Sequence, residues 1–488
     1  MKWKPLPIVL MLMMGAGMPC RGEASPWPQG IQQVLDHTPW LTFSRGNTLP
    51  LYLWPARNPG TLDRAVLIKL LTELDRRGIG LVSSWFPNQV EASLETALPV
   101  ARLQKELGLM VNIDATSMLY SFFDGSEETA HLDATGKPFF DDTFGSANMG
   151  CPFRLEQRIA PMKARLQAVI DVYKKEALPV DFVFADWEVD GPIEWNESWK
   201  ASQRCTVCLE HLKGAPFEGY QQALRAIRSR LQRVVYAEPM RAAFPKTLVG
   251  NYAVYPHDGY RYWYDYFEKY VEGQPARMEG HARYRPWAHE FEDTGYTFAM
   301  PVVYPWSWTW NWYDFEQGDY RWFYNGLLVA SNAGKHTPAE TPIISFVHYH
   351  TVDVGLSERL AGPPEKAGKA RQMSEFAYRE LLWHLLLRGT DTFFLWCTEE
   401  ENVKEIELLF PVYAASRQFG PFWEKGTPIT FEVPKEPGTV ISGLRLDRSV
   451  LIRRTDFTGN AGPVSIVIEG QEVAVPAHPG ETQIITLK

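Results

Sequence analysis

The stretch Val180-Asp-Phe-Val-Phe-Ala-Asp-Trp-Glu188 is an apolar run of β-forming residues that ends in acidic side chains. Because side chains alternate between the two faces of a strand, Asp186 and Glu188 lie on the same face as both phenylalanines of the run. An apolar strand that ends in two carboxylates on one face is typical of a parallel strand that delivers both acids to the mouth of a barrel. The segment therefore predicts a strand and also predicts that a functional site with two acids lies at the end of this strand.

Seven further β-type runs occur in the chain and alternate with amphipathic helical stretches. The runs are Leu51–Trp54, Gly80–Trp85, Met110–Asp114, Thr247–Tyr252, Thr297–Tyr304, Pro342–His350 and Asp391–Cys397. Two helical stretches have clear ends: Leu62–Arg77, with Thr61 as its predicted cap, and Arg371–Arg388, which stops before Gly389. Eight strands separated by helices predict an α/β fold of the TIM (β/α)8 barrel type.

From about Gly426 the pattern changes to short strands separated by Gly, Pro and Asp turns. The predicted strands are Pro428–Val433, Thr439–Leu446, Ser449–Arg454, Val464–Val475 and Thr482–Leu487. We expect residues 25–425 to form the catalytic barrel and residues 426–488 to form a small antiparallel, β-sandwich-like C-terminal domain. This domain either covers the barrel or binds polysaccharide, and its lack of Trp favours the covering role.

Residues 1–24 have the features of a secretory signal peptide: two lysines, the apolar stretch Leu6–Met14 and small residues near Ala24. The apolar stretch is too short to span a membrane, and no later run reaches about 18 apolar residues. We therefore expect a secreted or periplasmic protein without membrane insertion. Cys20 would allow a lipoprotein, but Pro19 occupies a position where a small residue is preferred.

The composition excludes one class of partner and favours another. The 488 residues contain 49 Lys and Arg against 58 Asp and Glu, which gives a formal net charge of −9. Because phosphate recognition needs clustered basic residues, the chain is not expected to bind nucleic acid. Its 18 Trp, 21 Tyr and 26 Phe exceed what a core needs, and flat rings are suited to stacking on the apolar faces of sugars. A polysaccharide or glycan is therefore the expected partner.

The spacing of Asp186 and Glu188 suits acid–base catalysis. Two strand rises place their carboxylates roughly 6–7 Å apart, and their mutual repulsion is expected to keep one of them protonated near neutral pH. Glu188, nearer the mouth, is the predicted proton donor to a glycosidic oxygen, and Asp186 is predicted to stabilise a charged intermediate. The alternative is that both acids form ion pairs with Arg or Lys of a neighbouring loop.

The source of the nucleophile stays open at this point. A retaining glycosidase that uses two carboxylates needs a second acid about 5–5.5 Å from the proton donor. Asp114, at the end of the third strand, and Asp353 are candidates, whereas Glu399–Glu401 are expected to begin the helix after the eighth strand. If no protein carboxylate attacks, the 2-acetamido oxygen of the substrate can do so while Asp186 stabilises the oxazolinium that forms.

The Asp186-Trp187-Glu188 motif resembles that of the hyaluronidases, glycoside hydrolase family 56, and more loosely that of the family 18 chitinases. Family 18 has a further Asp two positions before Asp186, where this chain has Phe184, so the likeness is closer to the hyaluronidases. The resemblance implies a barrel enzyme that hydrolyses N-acetylhexosaminide linkages with retention. It also implies that Glu188 is the acid/base and that Asp186 assists the acetamido group.

Three further segments are similar to hyaluronidase segments in the same order. They are Gly250–Asp258, which contains Tyr252 and Tyr255, then Met300–Tyr304, in which Met300 replaces the first Tyr of a Tyr-Pro-x-x-Tyr pattern, and finally Leu395-Trp396 followed by Glu401-Asn402. The resemblance implies that Tyr304 and either Tyr252 or Tyr255 hydrogen-bond the intermediate. It also implies that Trp396 lines the acetamido pocket, and Asn402 is added to the predicted substrate-binding residues.

Aromatic and histidine side chains near the strand ends complete the predicted substrate site. Trp306 and Trp308 belong to a run of strictly alternating rings after the sixth strand, which we interpret as a stacking surface for sugar, with packing under the C-terminal domain as the alternative. His348 and His350 share a face of the seventh strand, and hydrogen bonds to sugar hydroxyls are favoured over a metal, since zinc needs more ligands. Trp54, at the end of the first strand, is a further candidate.

Four cysteines follow the predicted signal peptide, namely Cys151, Cys205, Cys208 and Cys397. Cys205-Thr-Val-Cys208 is predicted to close a small disulfide, and the alternative is a zinc site shared with His211. The disulfide is favoured because tetrahedral zinc needs four ligands and the sequence has no second Cys-x-x-Cys pair. We therefore expect neither a metal nor another cofactor.

Together these features predict a secreted retaining glycoside hydrolase that cleaves N-acetylhexosaminide linkages in a polysaccharide. One alternative is a two-carboxylate glycosidase that acts on a glycan without an acetamido group, such as an algal or plant polysaccharide. A second alternative, from another functional class, is a carbohydrate-binding barrel without catalysis.

Overall fold

Eight parallel strands form the central sheet of this computed structural model, which describes residues 25–86, 90–116, 122–141, 149–186, 196–257, 290–305, 317–351 and 372–488. The central strands are β1 (Leu51–Arg57), β2 (Ile79–Ser84), β3 (Asn112–Asp114), β6 (Phe182–Ala185), β7 (Leu248–Asn251), β8 (Val302–Val303), β9 (Ile344–Val347) and β10 (Thr392–Leu395). A short hairpin of β4 (His131–Leu132) and β5 (Pro138–Phe139) lies between β3 and β6 in the chain. Each of the eight predicted strands overlaps one of the central strands, although β1 extends beyond its prediction to Arg57 and β2 begins one residue before its prediction, at Ile79, and this agreement confirms the predicted fold class.

The central sheet curls until its first and last strands meet. Each strand except β7 pairs in parallel with the next central strand in chain order, and β1 pairs with β10 through Tyr52 and Phe394. Between β7 and β8 the contact is made by single hydrogen bonds, one of them from the Thr297 N–H to the Val249 carbonyl at 2.9 Å. The carboxyl ends of all eight strands therefore open at one end of a (β/α)8 barrel.

Helices connect and cover the strands. They are α1 (Gln29–His37), α2 (Arg64–Asp75), α3 (Val90–Glu106), α4 (Glu156–Lys175), α5 (Asn196–Ser202), α6 (Thr206–Leu212), α7 (Phe217–Gln232), α8 (Glu238–Ala243), α9 (Glu290–Thr294), α10 (Gly318–His336), α11 (Glu375–Leu386), α12 (Asn402–Ser416) and α13 (Gly420–Lys425). Among these helices, none has the length and apolar character needed to cross a lipid bilayer.

Of the two helix ends predicted from the sequence, the N-terminal cap of α2 is wrong and the C-terminal stop of α11 is confirmed. Thr61 does not cap α2, because the helix begins later and the Asp63 carbonyl accepts its first backbone hydrogen bond, from Leu67. The C-terminal stop after α11 is confirmed, since Gly389 has a φ of +104° that other residues rarely adopt. At the other end of α11, the Ser374 side chain accepts a hydrogen bond from the Ala377 N–H at 3.2 Å.

The barrel interior is filled by aromatic side chains from alternating positions of its strands. Tyr52 stacks on Phe182 with ring centroids 4.4 Å apart, and Phe184 meets Phe394 edge-on at 4.8 Å. Both β6 phenylalanines point into the interior, as the alternation of the Val180–Glu188 run predicts. The same alternation directs the residue after β6 toward the open end of the barrel.

The C-terminal region is antiparallel, as predicted. Strands β11 (Thr427–Pro428), β12 (Thr439–Leu446), β13 (Ser449–Asp456) and β16 (Thr482–Thr486) form one sheet, and β14 (Val464–Ile468) pairs with β15 (Gln471–Val475) in a hairpin. The run Val464–Val475, predicted as a single strand, turns at Glu469 and Gly470, which both have positive φ. The division of the chain at residue 426 stays a prediction.

Buried polar contacts join this region to helix α11 of the barrel. Arg453 of β13 donates from Nε to the Glu380 carboxylate at 3.0 Å. The His384 ring lies 2.7 Å from the Ser442 hydroxyl and 2.9 Å from the Thr455 hydroxyl. All of these groups are buried, so the C-terminal sheet packs firmly on the outer layer of the barrel.

Candidate active site

Asp186 directly follows β6 at the open end of the barrel and is half-buried. The backbone on each side of it is held by neighbouring strands: the Ala115 N–H donates to the Phe184 carbonyl at 2.8 Å, and the Tyr252 N–H donates to the Ala185 carbonyl at 2.9 Å. Asp186 therefore leaves the sheet between the ends of β3 and β7. Glu188 lies outside the described residues, so its spacing from Asp186 stays a prediction.

Tyr252, Tyr304, His348 and Trp396 pack against one another at the ends of β7, β8, β9 and β10, and we call this group the aromatic wall. The first three are buried in the described part of the chain, and Trp396 is half-buried. The ring centroids of Tyr252 and Tyr304 are 6.4 Å apart, and those of Tyr304 and Trp396 are 6.0 Å apart. The His348 ring lies 5.6 Å from Tyr304 and meets Trp396 edge-on at 5.1 Å. Four residues predicted to contact substrate are thus brought together from four successive strands.

The aromatic wall rests on the interior of the barrel. Phe346 of β9 lies 5.3 Å from the Tyr252 ring and 5.9 Å from the Tyr304 ring, measured between centroids. Because buried side chains of this size fix the rings from below, the wall is a rigid feature of the mouth. Rigid rings that also carry phenol, imidazole and indole polar groups provide the combination of apolar and hydrogen-bonding surface that a sugar needs.

Asp114, the predicted alternative second carboxylate, is paired with an arginine. The Arg57 guanidinium hydrogen-bonds its carboxylate, the Ser84 hydroxyl donates to it at 3.3 Å, and the Thr116 N–H donates to it at 2.9 Å. The Arg57 guanidinium also lies over the Trp54 ring, 3.1 Å from its centroid. Burial lowers the pKa of Arg57, and the neighbouring Asp114 carboxylate opposes that shift. Asp114 is therefore engaged as the counter-ion of a half-buried arginine.

His348 and His350 meet two carboxylates of helix α12 and the turn before it, and these four residues are called the histidine–glutamate cluster. His348 Nε2 lies 3.2 Å from Glu401 Oε2 and 3.3 Å from Glu405 Oε1. His350 Nδ1 lies 2.9 Å from Glu405 Oε1, and the Tyr349 and His350 backbone N–H groups also donate to Glu405, at 2.9 and 3.0 Å. The cluster thus ties the end of β9 to the start of α12.

Two members of the histidine–glutamate cluster, Glu401 and His350, have pKa values shifted toward their charged forms. Burial raises the pKa of Glu401, but hydrogen bonds from His348 and from the Thr398 N–H outweigh it and lower this pKa to about 2. The hydrogen bond to Glu405 raises the pKa of His350, against the opposing effect of burial. One ligand atom each from His348, His350 and Glu401 lies within 4.8 Å of the others, a spacing that a metal could use. Their mutual hydrogen bonds already account for this geometry.

Glu405 is a residue of the mouth that was missed at the level of sequence. It is fully buried, although it lies only one helical turn after Glu401. The signal that could have identified it is this i, i+4 spacing, which puts both acids on one face of the helix that follows β10. The expectation that Glu399–Glu401 begin this helix is wrong by a few residues: the helix begins at Asn402, Glu401 is the residue before it, and Glu399 and Glu400 lie in the preceding turn.

Two predicted site residues have other surroundings. The Asn402 side chain donates to Gln33 of α1 at 3.0 Å and accepts a hydrogen bond from the Cys397 thiol at 3.1 Å. Tyr255 is buried in the segment after β7, with its ring 5.4 Å from His257. Trp306, Trp308 and Asp353 lie outside the described residues, so their roles stay predictions.

The predicted Cys205–Cys208 disulfide is not formed, because both residues are free thiols in this structure. His211, predicted as an alternative zinc ligand with them, stacks instead on Phe153 with ring centroids 4.7 Å apart. A more distant histidine, His131, lies beside the two thiols. The geometry of this group is described below.

Comparisons with protein-family models and with curated proteins found no match. Among solved structures, the chain is similar to α-L-fucosidase isoenzyme 2 from Paenibacillus thiaminolyticus (14% identity, TM-score 0.42, covering 81% of this chain and 50% of that one). It is also similar to a family 36 α-galactosidase from Geobacillus stearothermophilus in complex with stachyose (11% identity, TM-score 0.43, covering 93% of this chain and 57% of that one). A third similar structure is bee venom hyaluronidase (11% identity, TM-score 0.29, covering 70% of this chain and 99% of that one).

The chain thus spans little more than half the length of the first two of these enzymes. All three are glycoside hydrolases by name, but likenesses at TM-scores of 0.29 to 0.43 do not decide the activity of this chain. The activity of this chain must therefore be inferred from the residues of its candidate active site.

Proposed function

We propose that the protein is a retaining glycoside hydrolase that cleaves N-acetylhexosaminide linkages in a polysaccharide. The observation that carries this proposal is the position of Asp186, at the end of a central barrel strand and between the ends of β3 and β7. The aromatic wall begins at the next strand end, with Tyr252. A carboxylate beside rigid aromatic rings at the open end of a barrel is the arrangement that a sugar-cleaving site needs.

The proposed reaction uses the substrate's own acetamido group. Glu188 gives its proton to the glycosidic oxygen as the bond to the anomeric carbon breaks, and the acetamido oxygen forms a bond to that carbon. Asp186 stabilises the positive charge of the oxazolinium intermediate. Water then attacks the same carbon as its bond to the acetamido oxygen breaks, and Glu188 takes up the proton that the water loses. Each step inverts the anomeric carbon, so the two together retain its configuration.

The remaining site residues have supporting roles in this proposal. The hydroxyls of Tyr252 and Tyr304 hydrogen-bond the intermediate, and Trp396 forms the side of the acetamido pocket. Each belongs to the aromatic wall, whose contacts hold the rings in fixed positions. The predicted export signal in residues 1–24 fits this proposal, because a polysaccharide is too large to enter a cell.

The pairing of Asp114 supports substrate assistance over a protein nucleophile. Asp114 is only 5% exposed, and its carboxylate already accepts hydrogen bonds from Arg57, Ser84 and Thr116. Both carboxylate oxygens are engaged, so attack on a sugar would require one of them to give up a hydrogen bond that a counter-ion keeps. Asp114 nevertheless lies at the end of β3, beside β6, so a two-carboxylate glycosidase with Asp114 as nucleophile is the second candidate.

A panel of defined glycans tests the proposal. Polymers that contain N-acetylhexosamine should release new reducing ends, and matched polymers without the acetamido group should release none. A thiazoline mimic of the oxazolinium should inhibit the reaction competitively. Hydrolysis of polymers without acetamido groups, together with insensitivity to the thiazoline, would favour the second candidate. Binding of a glycan with no release of reducing ends would contradict both and indicate a binding protein.

A matched pair of variants separates the two catalytic candidates. In the Asp114→Asn protein, a two-carboxylate mechanism predicts loss of the covalent glycosyl-enzyme and of nearly all turnover. Substrate assistance predicts instead that the Michaelis constant and stability change, because Arg57 loses its counter-ion, while inhibition by the thiazoline persists. Glu400→Gln, at an exposed carboxylate of the same barrel end, is the control and should leave turnover unchanged.

A further inference from the structure

Three cysteines and one histidine meet in the interior of the protein, away from the aromatic wall. His131, Cys151, Cys205 and Cys208 are all buried, and one ligand atom of each lies within 4.8 Å of the others. We call this group the Cys3His cluster. Its members come from three separate segments: the β4–β5 hairpin, the residue before the short helical turn Pro152–Arg154, and the start of α6.

The spacing of the sulfurs in the Cys3His cluster is that of a metal site. Cys151 Sγ lies 3.4 Å from Cys208 Sγ and 3.8 Å from Cys205 Sγ, and Cys208 Sγ lies 3.7 Å from His131 Nδ1. A disulfide would need about 2.05 Å between sulfurs. Ligands at zinc–sulfur distances of about 2.3 Å in a tetrahedron lie about 3.8 Å from one another.

We propose that the Cys3His cluster binds one zinc ion with a structural role. Three thiolates and one imidazole are a ligand set that zinc prefers, and four protein ligands close a tetrahedral site. Because a closed site has no coordination position for water or substrate, the ion would hold the chain together and take no part in the reaction.

The surroundings of His131 fit this assignment. Its Nδ1 faces the sulfurs, and its Nε2 lies 3.8 Å from the Asp141 carboxylate on the opposite side of the ring. A carboxylate in that position is the usual partner of a metal-bound imidazole, since it fixes the tautomer and the ring orientation. The ring also stacks on Phe139 of the same hairpin, with centroids 5.1 Å apart.

The backbone near the cysteines is also closely packed. The Cys151 N–H donates to the Thr129 carbonyl at 2.7 Å, which holds Cys151 beside the strand that carries His131. A side chain at Gly150 would come within 2.0 Å of that same carbonyl oxygen, so only glycine allows this approach. On the α6 side, the Leu209 N–H donates to the Cys205 carbonyl at 2.9 Å, which holds Cys205 at the start of the helix.

The proposed zinc ion joins two loops at the open end of the barrel. His131 and Cys151 belong to the long segment between β3, which ends at Asp114, and α4. Cys205 and Cys208 belong to the segment between β6, which precedes Asp186, and α7. Zinc would therefore cross-link the segments that follow two neighbouring strands of the candidate active site, and thereby help to position them.

Metal analysis of the full chain tests this proposal. The protein, purified without chelator and without added metal, should contain about one zinc ion per chain. Cys208→Ser should lower the zinc content roughly ten-fold or more, because three ligands bind far more weakly than four. Cys397→Ser removes a buried thiol outside the cluster and is the matched control, which should retain its zinc.

Measurements on the unaltered chain cover the case in which Cys208→Ser does not fold. An organomercurial that blocks thiols should release zinc to a chromogenic chelator in step with modification of the cysteines. Cobalt(II) in place of zinc should give sulfur-to-cobalt charge-transfer absorption and the visible bands of a tetrahedral ion. Three results would overturn the proposal. They are a zinc-free native protein with a Cys151–Cys208 disulfide, a folded Cys208→Ser protein that keeps all its zinc, and a Cys397→Ser protein that loses as much zinc as Cys208→Ser.

Discussion

The Cys3His cluster and the histidine–glutamate cluster differ in what satisfies their polar atoms. In the histidine–glutamate cluster, imidazole nitrogens face carboxylate oxygens at 2.9 to 3.3 Å, so ring N–H donors can meet strong acceptors. In the Cys3His cluster, sulfurs face sulfurs at 3.4 and 3.8 Å. Thiols are weak donors and weak acceptors, so their mutual contacts contribute little.

This difference shows that proximity of potential ligands is not enough to assign a metal. A pair of imidazoles and a pair of carboxylates can satisfy one another by hydrogen bonds, so this partly buried network is expected to hold together without a metal ion. Three thiols around an imidazole lack such complementarity and need a cation to hold them as thiolates. The four predictions that follow test this contrast, from the largest expected effect to the smallest.

Removal of the Glu405 carboxylate should have the largest effect on stability. Glu405→Ala leaves the His350 imidazole and the Tyr349 and His350 N–H groups without their common acceptor, and such a loss costs about 3–5 kcal/mol in the free energy of unfolding. Chemical denaturation measures it. Glu407→Ala, on the exposed side of the same helix, is the control and should cost at most about 1 kcal/mol. Equal effects of the two variants would show that the cluster does not stabilise the protein.

Asp186→Asn should lower turnover without altering either cluster. Loss of a charge that stabilises the transition state typically reduces kcat about 10²–10³-fold. The zinc content and the midpoint of denaturation should stay as they are in the unaltered protein, because Asp186 belongs to neither cluster. Steady-state kinetics on an N-acetylhexosamine polymer measures the effect. Retention of kcat would exclude Asp186 from the reaction.

Removal of metal should destabilise the protein through the Cys3His cluster alone. An ion that binds only the folded state adds about 2.7 kcal/mol when its free concentration is 100 times Kd. Denaturation with and without a strong zinc chelator should therefore show a clear loss for the unaltered chain. The loss should be absent in Cys208→Ser and unchanged in Glu401→Gln. A chelator effect that disappears in Glu401→Gln would place the metal at the barrel mouth instead.

The pH dependence of stability should show the smallest effect, in the histidine–glutamate cluster. The pKa of Glu401 is lowered from 4.5 to about 2, so its contribution is present above pH 4.5 and is lost as the pH falls toward 2. The pKa of His350 is raised from 6.5, so its contribution is full below pH 6.5 and is lost as the pH rises through the higher value.

The stability difference between the unaltered protein and Glu401→Gln should therefore be greatest between pH 4.5 and 6.5. It should amount to about 1 kcal/mol or less, because both groups are partly exposed. Denaturation curves across this pH range measure it. A difference that does not vary with pH would indicate that the ion pairs contribute nothing.

Strand periodicity made most of the barrel predictable from the sequence. The alternation in Val180–Glu188 places the β6 phenylalanines in the interior and Asp186 at the open end, because a strand has only two faces. The same reasoning brings Tyr252, Tyr304 and Trp396 together, since the carboxyl ends of parallel strands meet at one end of the barrel. The contacts of the aromatic wall confirm this proximity.

The features that escaped prediction depend on the paths of loops and on helix placement. His131 lies 77 residues before Cys208, and no local pattern shows that the β4–β5 hairpin returns to α6. The Cys-x-x-Cys pair alone therefore favoured a disulfide, which is not formed. The alternative zinc ligand that it suggested was His211, which stacks on Phe153, whereas His131 is the histidine beside the thiols. Glu405 was missed for a related reason, because its burial depends on the packing of α12 against Tyr349 and His350, which follow β9.

The central claim is that the acid pair at the end of β6 hydrolyses a glycosidic bond. The most direct test is the rate of reducing-end release from an N-acetylhexosamine polymer by the Glu188→Gln protein, compared with the unaltered protein at equal zinc content. The proposed mechanism predicts a decrease of roughly 10²–10⁴-fold with unchanged folding. A Glu188→Gln protein that hydrolyses the polymer at nearly the original rate would contradict it.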